Sequence, residues 1–173
     1  MTHALDLVLE NAFSSLANTF QDTWNGKRER EIVSLFCFGH LIHQCKPKSF
    51  LHDPTQIGIE VPVPQIESQL SLSGLTSAKT QVCKDIVIWP HPRMTCWDNS
   101  GLPTIAPTGV IEWKHNKKRV SNYDVQWLIK FSQNRPDFVG YVVCTQDKSF
   151  RDFRLSCSRI LGGRVEHQWI FIR

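Results

Sequence analysis

The sequence predicts an α/β fold, a mixed central β-sheet flanked by α-helices, and three observations carry it. Two segments with apolar residues at three- and four-residue spacing open the chain. Short β-branched runs bounded by Pro and Gly follow. One further helical segment, around Tyr123 to Leu128, separates the run ending at Lys114 from the run beginning at Phe138. A chain of 173 residues, 41% hydrophobic, reads as one domain spanning 1–173 with enough apolar mass for a sizeable core.

In the first segment Leu5, Val8, Leu9, Ala12, Phe13, Leu16, Ala17 and Phe20 form one apolar stripe. That stripe predicts an N-terminal helix over about 3–20 that covers one face of the sheet. A second helix is expected from about Lys27 to His43, with Ile32, Leu35, Phe36 and Ile42 on its core side and Pro47 ending it. Glu29 falls at the border of that buried face, where a carboxylate reaches a site without being stranded in the core. Ile57 to Pro64 reads as the first strand, marked by its prolines as an edge. Gln65 to Thr80 is polar and Ser-rich and is expected to be a loop. Ile86-Val87-Ile88-Trp89 and Val110-Ile111 are buried strands, Phe138 to Cys144 is a fourth, and Val165 to Ile172 is the last. The interval before the last strand reads only as a variable element.

The chemistry gathers on two of these strands. Asp85 stands at the end or bend of one, and Glu112 and Lys114, two residues apart, share a face of the next, with Trp113 turned to the other side. If the strands pair, the two carboxylates and a backbone carbonyl, that of Trp113, would hold a hard divalent cation, with Mg²⁺ expected and Mn²⁺ as a substitute. Lys114 would offset charge developing on a phosphoryl group. The basic run Lys117-Lys118-Arg119 directly follows, where nucleic-acid phosphates would lie; its other reading is a solvated turn.

Asp85, a long gap, then Glu112-x-Lys114 resembles the PD-(D/E)XK nuclease superfamily, the restriction-endonuclease-like fold. Glu29-Arg30-Glu31-Ile32-Val33-Ser34 is similar to the opening of the first core helix of archaeal Holliday-junction resolvases, and Tyr123 to Leu128 looks like the helix after the Glu-x-Lys strand. The resemblance covers roughly residues 27–145. It implies a metal-dependent endonuclease acting on DNA, with Glu29, Asp85, Glu112, Lys114 and Gln126 in the catalytic set and Glu29 joining Asp85 and Glu112 at the metal. Two departures stand out: Lys84 replaces the usual Pro, and 26 residues separate Asp85 from Glu112. The insertion Pro90 to Thr108 reads either as a substrate- or partner-contacting element or as a loop packing Trp97 on its own domain.

The net charge of +4 is compatible with a polyanionic partner without announcing one. A homodimer or a protein partner is also open. Six scattered cysteines suggest neither a zinc framework nor a disulfide scaffold, and His40, His43 and Cys45 lack a fourth ligand at diagnostic spacing. No basic segment followed by a long apolar run opens the chain, so the expectation is a cytoplasmic protein without a membrane span. The alternative to the nuclease is a catalytically silent module of the same fold that binds nucleic acid or a protein partner, or a subunit of a larger nuclease assembly.

Overall fold

A computed structural model of the chain describes residues 3–19, 28–65, 81–133, 135–147 and 153–172. Phe20, Trp24, Lys27 and the Ser-rich stretch 66–80 lie outside the described residues. Among the described residues three α-helices, α1 (Ala4–Thr19), α2 (Glu29–Phe36) and α3 (Asn122–Gln133), flank a six-stranded sheet. The strands are β1 (Ile57–Pro64), β2 (Gln81–Ile88), β3 (Gly109–His115), β4 (Val139–Asp147), β5 (Phe153–Leu161) and β6 (Arg164–Ile172), lying side by side in chain order. All neighbours are antiparallel except β3 and β4, which are parallel and joined by the α3 crossover.

The apolar stripes explain the layers. Leu5, Leu9, Phe13 and Leu16 of α1 and Ile32 and Phe36 of α2 pack on Ile86, Ile111, Trp113 and Tyr141 from one face of the sheet. Phe13 stacks on Phe36 at 4.8 Å, and Phe36 meets the Trp113 ring at 5.1 Å. On the other face, Trp127, Leu128 and Phe131 of α3 cover Val87, Val110, Phe138 and Ile160. Beyond Phe36 the second helix continues as a π-turn over Cys37–Leu41 and a 3₁₀ turn over Ile42–Gln44, so the expected span to His43 is helical in changed form.

The interval read only as a variable element is β5. Phe153, Leu155 and Cys157 alternate inward with outward Arg154, Ser156 and Ser158, and Gly162 and Gly163 join β5 to β6 with φ of +55° and +80°. Both values suit the two-residue hairpin turn that a Gly-Gly pair permits. One inward polar residue breaks the apolar signal of this segment, Arg159, whose partner Asp6 lies in α1. Asp6 is buried, accepts the Tyr141 hydroxyl at 2.7 Å and pairs with Arg159, which also donates to Glu166 at 3.1 Å. The network ties α1 to β4, β5 and β6. The Pro90–Thr108 loop turns Trp97 onto its own domain, where the indole packs against the α3-side core and its Nε1 donates to the Pro62 carbonyl at 3.4 Å. Among the described residues no helix is long and apolar enough to cross a membrane.

Asp6→Ala would leave the Arg159 guanidinium buried without its main counter-charge. The expected loss is about 3 kcal/mol or more in urea denaturation; a shift no larger than that of an exposed substitution would contradict the network's role.

Candidate functional site

Strict alternation would keep Ile57, Ile59, Val61 and Val63 on one face of β1. Instead Ile57 and Ile59 join the α1/α2 core, while Val61 and Val63 join the α3 core. β2 makes the same switch, with Ile86 and Ile88 on the first side and Val82 and Lys84 on the second. The change falls at Glu60 and Asp85, which face each other across the register between the pairs Ile59–Ile86 and Val61–Lys84. Glu60 takes a φ of +52° there. Asp85 thus sits at a bend inside β2.

The bend opens the sheet. β2 and β3 pair only at Ile86–Ile111, Val87–Val110 and Ile88–Gly109, and past Ile86 the ladder stops. Into that gap the Asp85 carboxylate turns, and its Oδ2 accepts the Trp113 N–H at 2.7 Å in place of a β2 carbonyl. In an extended strand the N–H and C=O of one residue face the same neighbour, so the Trp113 carbonyl is turned to the same gap.

Three elements meet there. Lys114 Nζ donates to Glu29 Oε1 at 2.7 Å and lies 3.8 Å from Asp85 Oδ2, while Glu29 Oε2 accepts the His115 N–H at 3.3 Å. Glu29, at the first turn of α2, is therefore fixed to the end of β3 by both oxygens. Glu112 is buried one step along β3, with Lys84 Nζ bonded to its Oε1. Lys84 is fully buried; its ammonium lies 3.8 Å from Asp124 Oδ1 and 4.3 Å from the centre of the Trp127 ring, within cation–π range.

Burial pushes the Glu112 carboxyl up to about 8, opposed by Lys84 and reinforced by the charges of Asp124 and Asp85. Burial raises Asp85 as well, against the lowering from the Trp113 N–H and from Lys114. Burial would lower Lys114, but the bond to Glu29 and the charges of Asp85, Glu29 and Glu112 outweigh it, so its pKa rises. Three carboxyls, Glu29, Asp85 and Glu112, thus crowd beside two lysines, Lys84 and Lys114.

The donors fit a hard divalent cation in kind: Asp85, Glu112 and Glu29 offer carboxylate oxygens and Trp113 a carbonyl facing the gap. Lys84, however, engages one oxygen of Glu112. Among the described residues no group of three or more His, Cys, Asp or Glu is arranged to hold a metal ion.

Of the expected residues, Glu29, Asp85 and Lys114 converge directly, and Glu112 adjoins them. Gln126 is exposed on α3; the α3 residue that approaches the cluster is Asp124, whose Oδ2 is held by Ser121 Oγ at 2.6 Å. Lys117, Lys118 and Arg119 are exposed in the turn after β3 and line a cleft with Lys114. The His115 ring faces away and contacts Thr145 Oγ1 at 3.1 Å through Nδ1. His40 is held by Ser15 and Thr19 rather than grouped with His43 and Cys45, and all six cysteines are free thiols.

Lys84 and Asp124 went unread in the sequence. Alternation puts Lys84 on the face away from α3, and only the inversion at Asp85 brings it under that helix. Asp124 had a signal, the Ser121-x-x-Asp124 spacing of a helix start, which points to a cap rather than to a site.

No protein-family model matches the chain, and neither the curated proteins nor the solved structures yield a match.

Glu112→Leu strands the Lys84 ammonium in the interior with Asp124 as its nearest carboxylate, and should cost about 3 to 5 kcal/mol in urea denaturation. Lys84→Met should cost less, because Glu112 can take up a proton, and the double substitution should recover most of the Glu112→Leu loss. Additive losses in the double variant would contradict a coupled pair.

Proposed function

We propose that the protein is a metal-dependent phosphodiesterase that cuts nucleic acid, DNA in the first instance, and is a nuclease of the PD-(D/E)XK type. The observation that carries this reading is the meeting of Glu29, Asp85 and Lys114, from three elements, at the gap where β2 leaves β3, with Glu112 alongside. The element order supports the finer fold assignment. Helices precede an antiparallel β1–β2–β3 meander, and α3 then crosses over to β4, parallel to β3, as the restriction-endonuclease-like resemblance implies.

In this reading Asp85, Glu112 and the Trp113 carbonyl hold Mg²⁺ or Mn²⁺, and Glu29 completes the set. The ion supplies Lewis acidity toward a phosphoryl oxygen and a lowered pKa for a bound water. Glu29 positions Lys114, and the Lys114 ammonium offsets negative charge that builds on the phosphate as the bond to the leaving oxygen breaks. The raised pKa of Lys114 keeps that ammonium charged across the neutral range. Glu112 is kept in place from behind by Lys84, itself seated over Trp127.

One observation favours a second reading. Lys84 already supplies Glu112 with a cation, and a site satisfied in that way suits a catalytically silent module that binds nucleic acid or a protein partner.

Cleavage of labelled duplex, single-stranded, nicked and four-way DNA with Mg²⁺, Mn²⁺ or EDTA separates the two. The nuclease reading expects metal-dependent cutting that falls by at least about 100-fold in Lys114→Ala, as removal of one charge-stabilising donor does elsewhere. Binding without cutting in both proteins would instead support the silent module.

A further inference from the structure

Among the described residues two clefts adjoin the cluster, and they do not share residues. The first, about 530 Å³, opens on the α2 side, where Glu29, Asp85, Glu60 and Cys83 line it and the Arg30–Glu60 ion pair stands at its edge. The second, about 840 Å³, opens on the α3 side and contains Lys114. Lys117, Lys118 and Arg119 form one wall of that second cleft. Its floor is formed by Val142 and Cys144 of β4, Ser156 and Ser158 of β5 and Gln168 of β6. Among the described residues no carboxylate lines it. None of the three wall cations has an ion-pair partner among the described residues.

The wall is built, not loose. Asn116, at φ +55°, starts the turn with its N–H on the Thr145 carbonyl at 2.7 Å and its Oδ1 accepting from the Asp147 N–H at 2.9 Å. Val120 is buried at the other end, and Ser121 and Asp124 cap α3 just beyond it. Both ends of the basic turn are thus anchored to β4 and α3. Four cations lining one cleft, three of them on a turn anchored at both ends, beside hydroxyl and amide groups of β5 and β6, match a repeating anion with polar groups between its charges. Three adjacent strands make a floor roughly 10 Å across, the width for one backbone.

We propose that the second cleft docks a single sugar–phosphate backbone and delivers it to Lys114 from the α3 side, opposite the face on which Asp85 and Glu29 open. This inference rests on the nucleic-acid reading above. Lys114 is the one cluster residue that also lines the docking cleft, so the three wall cations can be neutralised without altering the cluster.

The test is the salt dependence of binding, read with EDTA present so that no cutting intervenes. Labelled single-stranded and duplex DNA are titrated with the wild type and with Lys117→Gln/Lys118→Gln/Arg119→Gln, whose altered positions are all exposed. Each neutralised phosphate contributes a slope of about 0.7 for single strands or 0.9 for duplex to the fall of log K with log salt. The triple variant should therefore lose about 2 to 3 from the slope. Ser158→Asp, which places a negative charge on the floor, should weaken binding at low salt without touching the wall. An unchanged slope in the triple variant, or unchanged affinity in Ser158→Asp, overturns the docking cleft even if the protein cuts DNA. Reduced slopes in a protein that cuts nothing would uphold the cleft and sink the nuclease reading.

Discussion

The Asp85 carboxylate accepts the Trp113 N–H at the point where the β2–β3 ladder would have continued. A backbone donor in a sheet needs a partner, and here a side chain supplies it, so β2 can leave β3 without stranding the amide. The space that opens receives the Trp113 carbonyl, the Lys114 ammonium and, from α2, the Glu29 carboxylate. Glu29 can reach it because α2 is held from below by Phe36 on the Trp113 ring, with Ile32 buried in the same core. The same tryptophan therefore sets the depth of the helix and, through its amide, the position of the acid.

The bend has a second consequence on the other face. Inverting the strand at Asp85 swings Lys84 under α3, where Glu112, Asp124 and the Trp127 ring surround it. Its charge keeps Glu112 from being an isolated buried acid, although burial still drives that carboxyl upward. The site is thus divided by the sheet. Acids open toward α2, a buried counter-ion backs them under α3, and the basic cleft begins at Lys114.

Much of this was legible in the sequence because it depends on periodicity. The apolar stripe from Leu5 to Ala17, the β-branched runs around Ile86 and Val110, and the one-face spacing of Glu112 and Lys114 each follow from a single repeat. What was not legible depends on departures from a repeat. The face switch at Glu60 and Asp85 leaves no mark on the apolar pattern of β2, so Lys84 looked like a replacement for a proline and nothing more. β5 went unread because Arg159 occupies an inward position that an apolar residue would ordinarily hold, and its partner Asp6 lies 153 residues away in sequence. Gln126 was expected at the site from resemblance alone; α3 instead turns Asp124 toward the cluster and leaves Gln126 exposed.

Whether the gap between β2 and β3 takes the proposed divalent cation is read by Mn²⁺ titration, followed by paramagnetic broadening of backbone amide NMR signals. A cation held there would broaden the amides of Asp85, Trp113, Lys114 and Glu29 first and together, and Asp85→Asn would abolish the effect at all of them. Broadening that begins at His43 or His52, or that persists unchanged in Asp85→Asn, would contradict that placement.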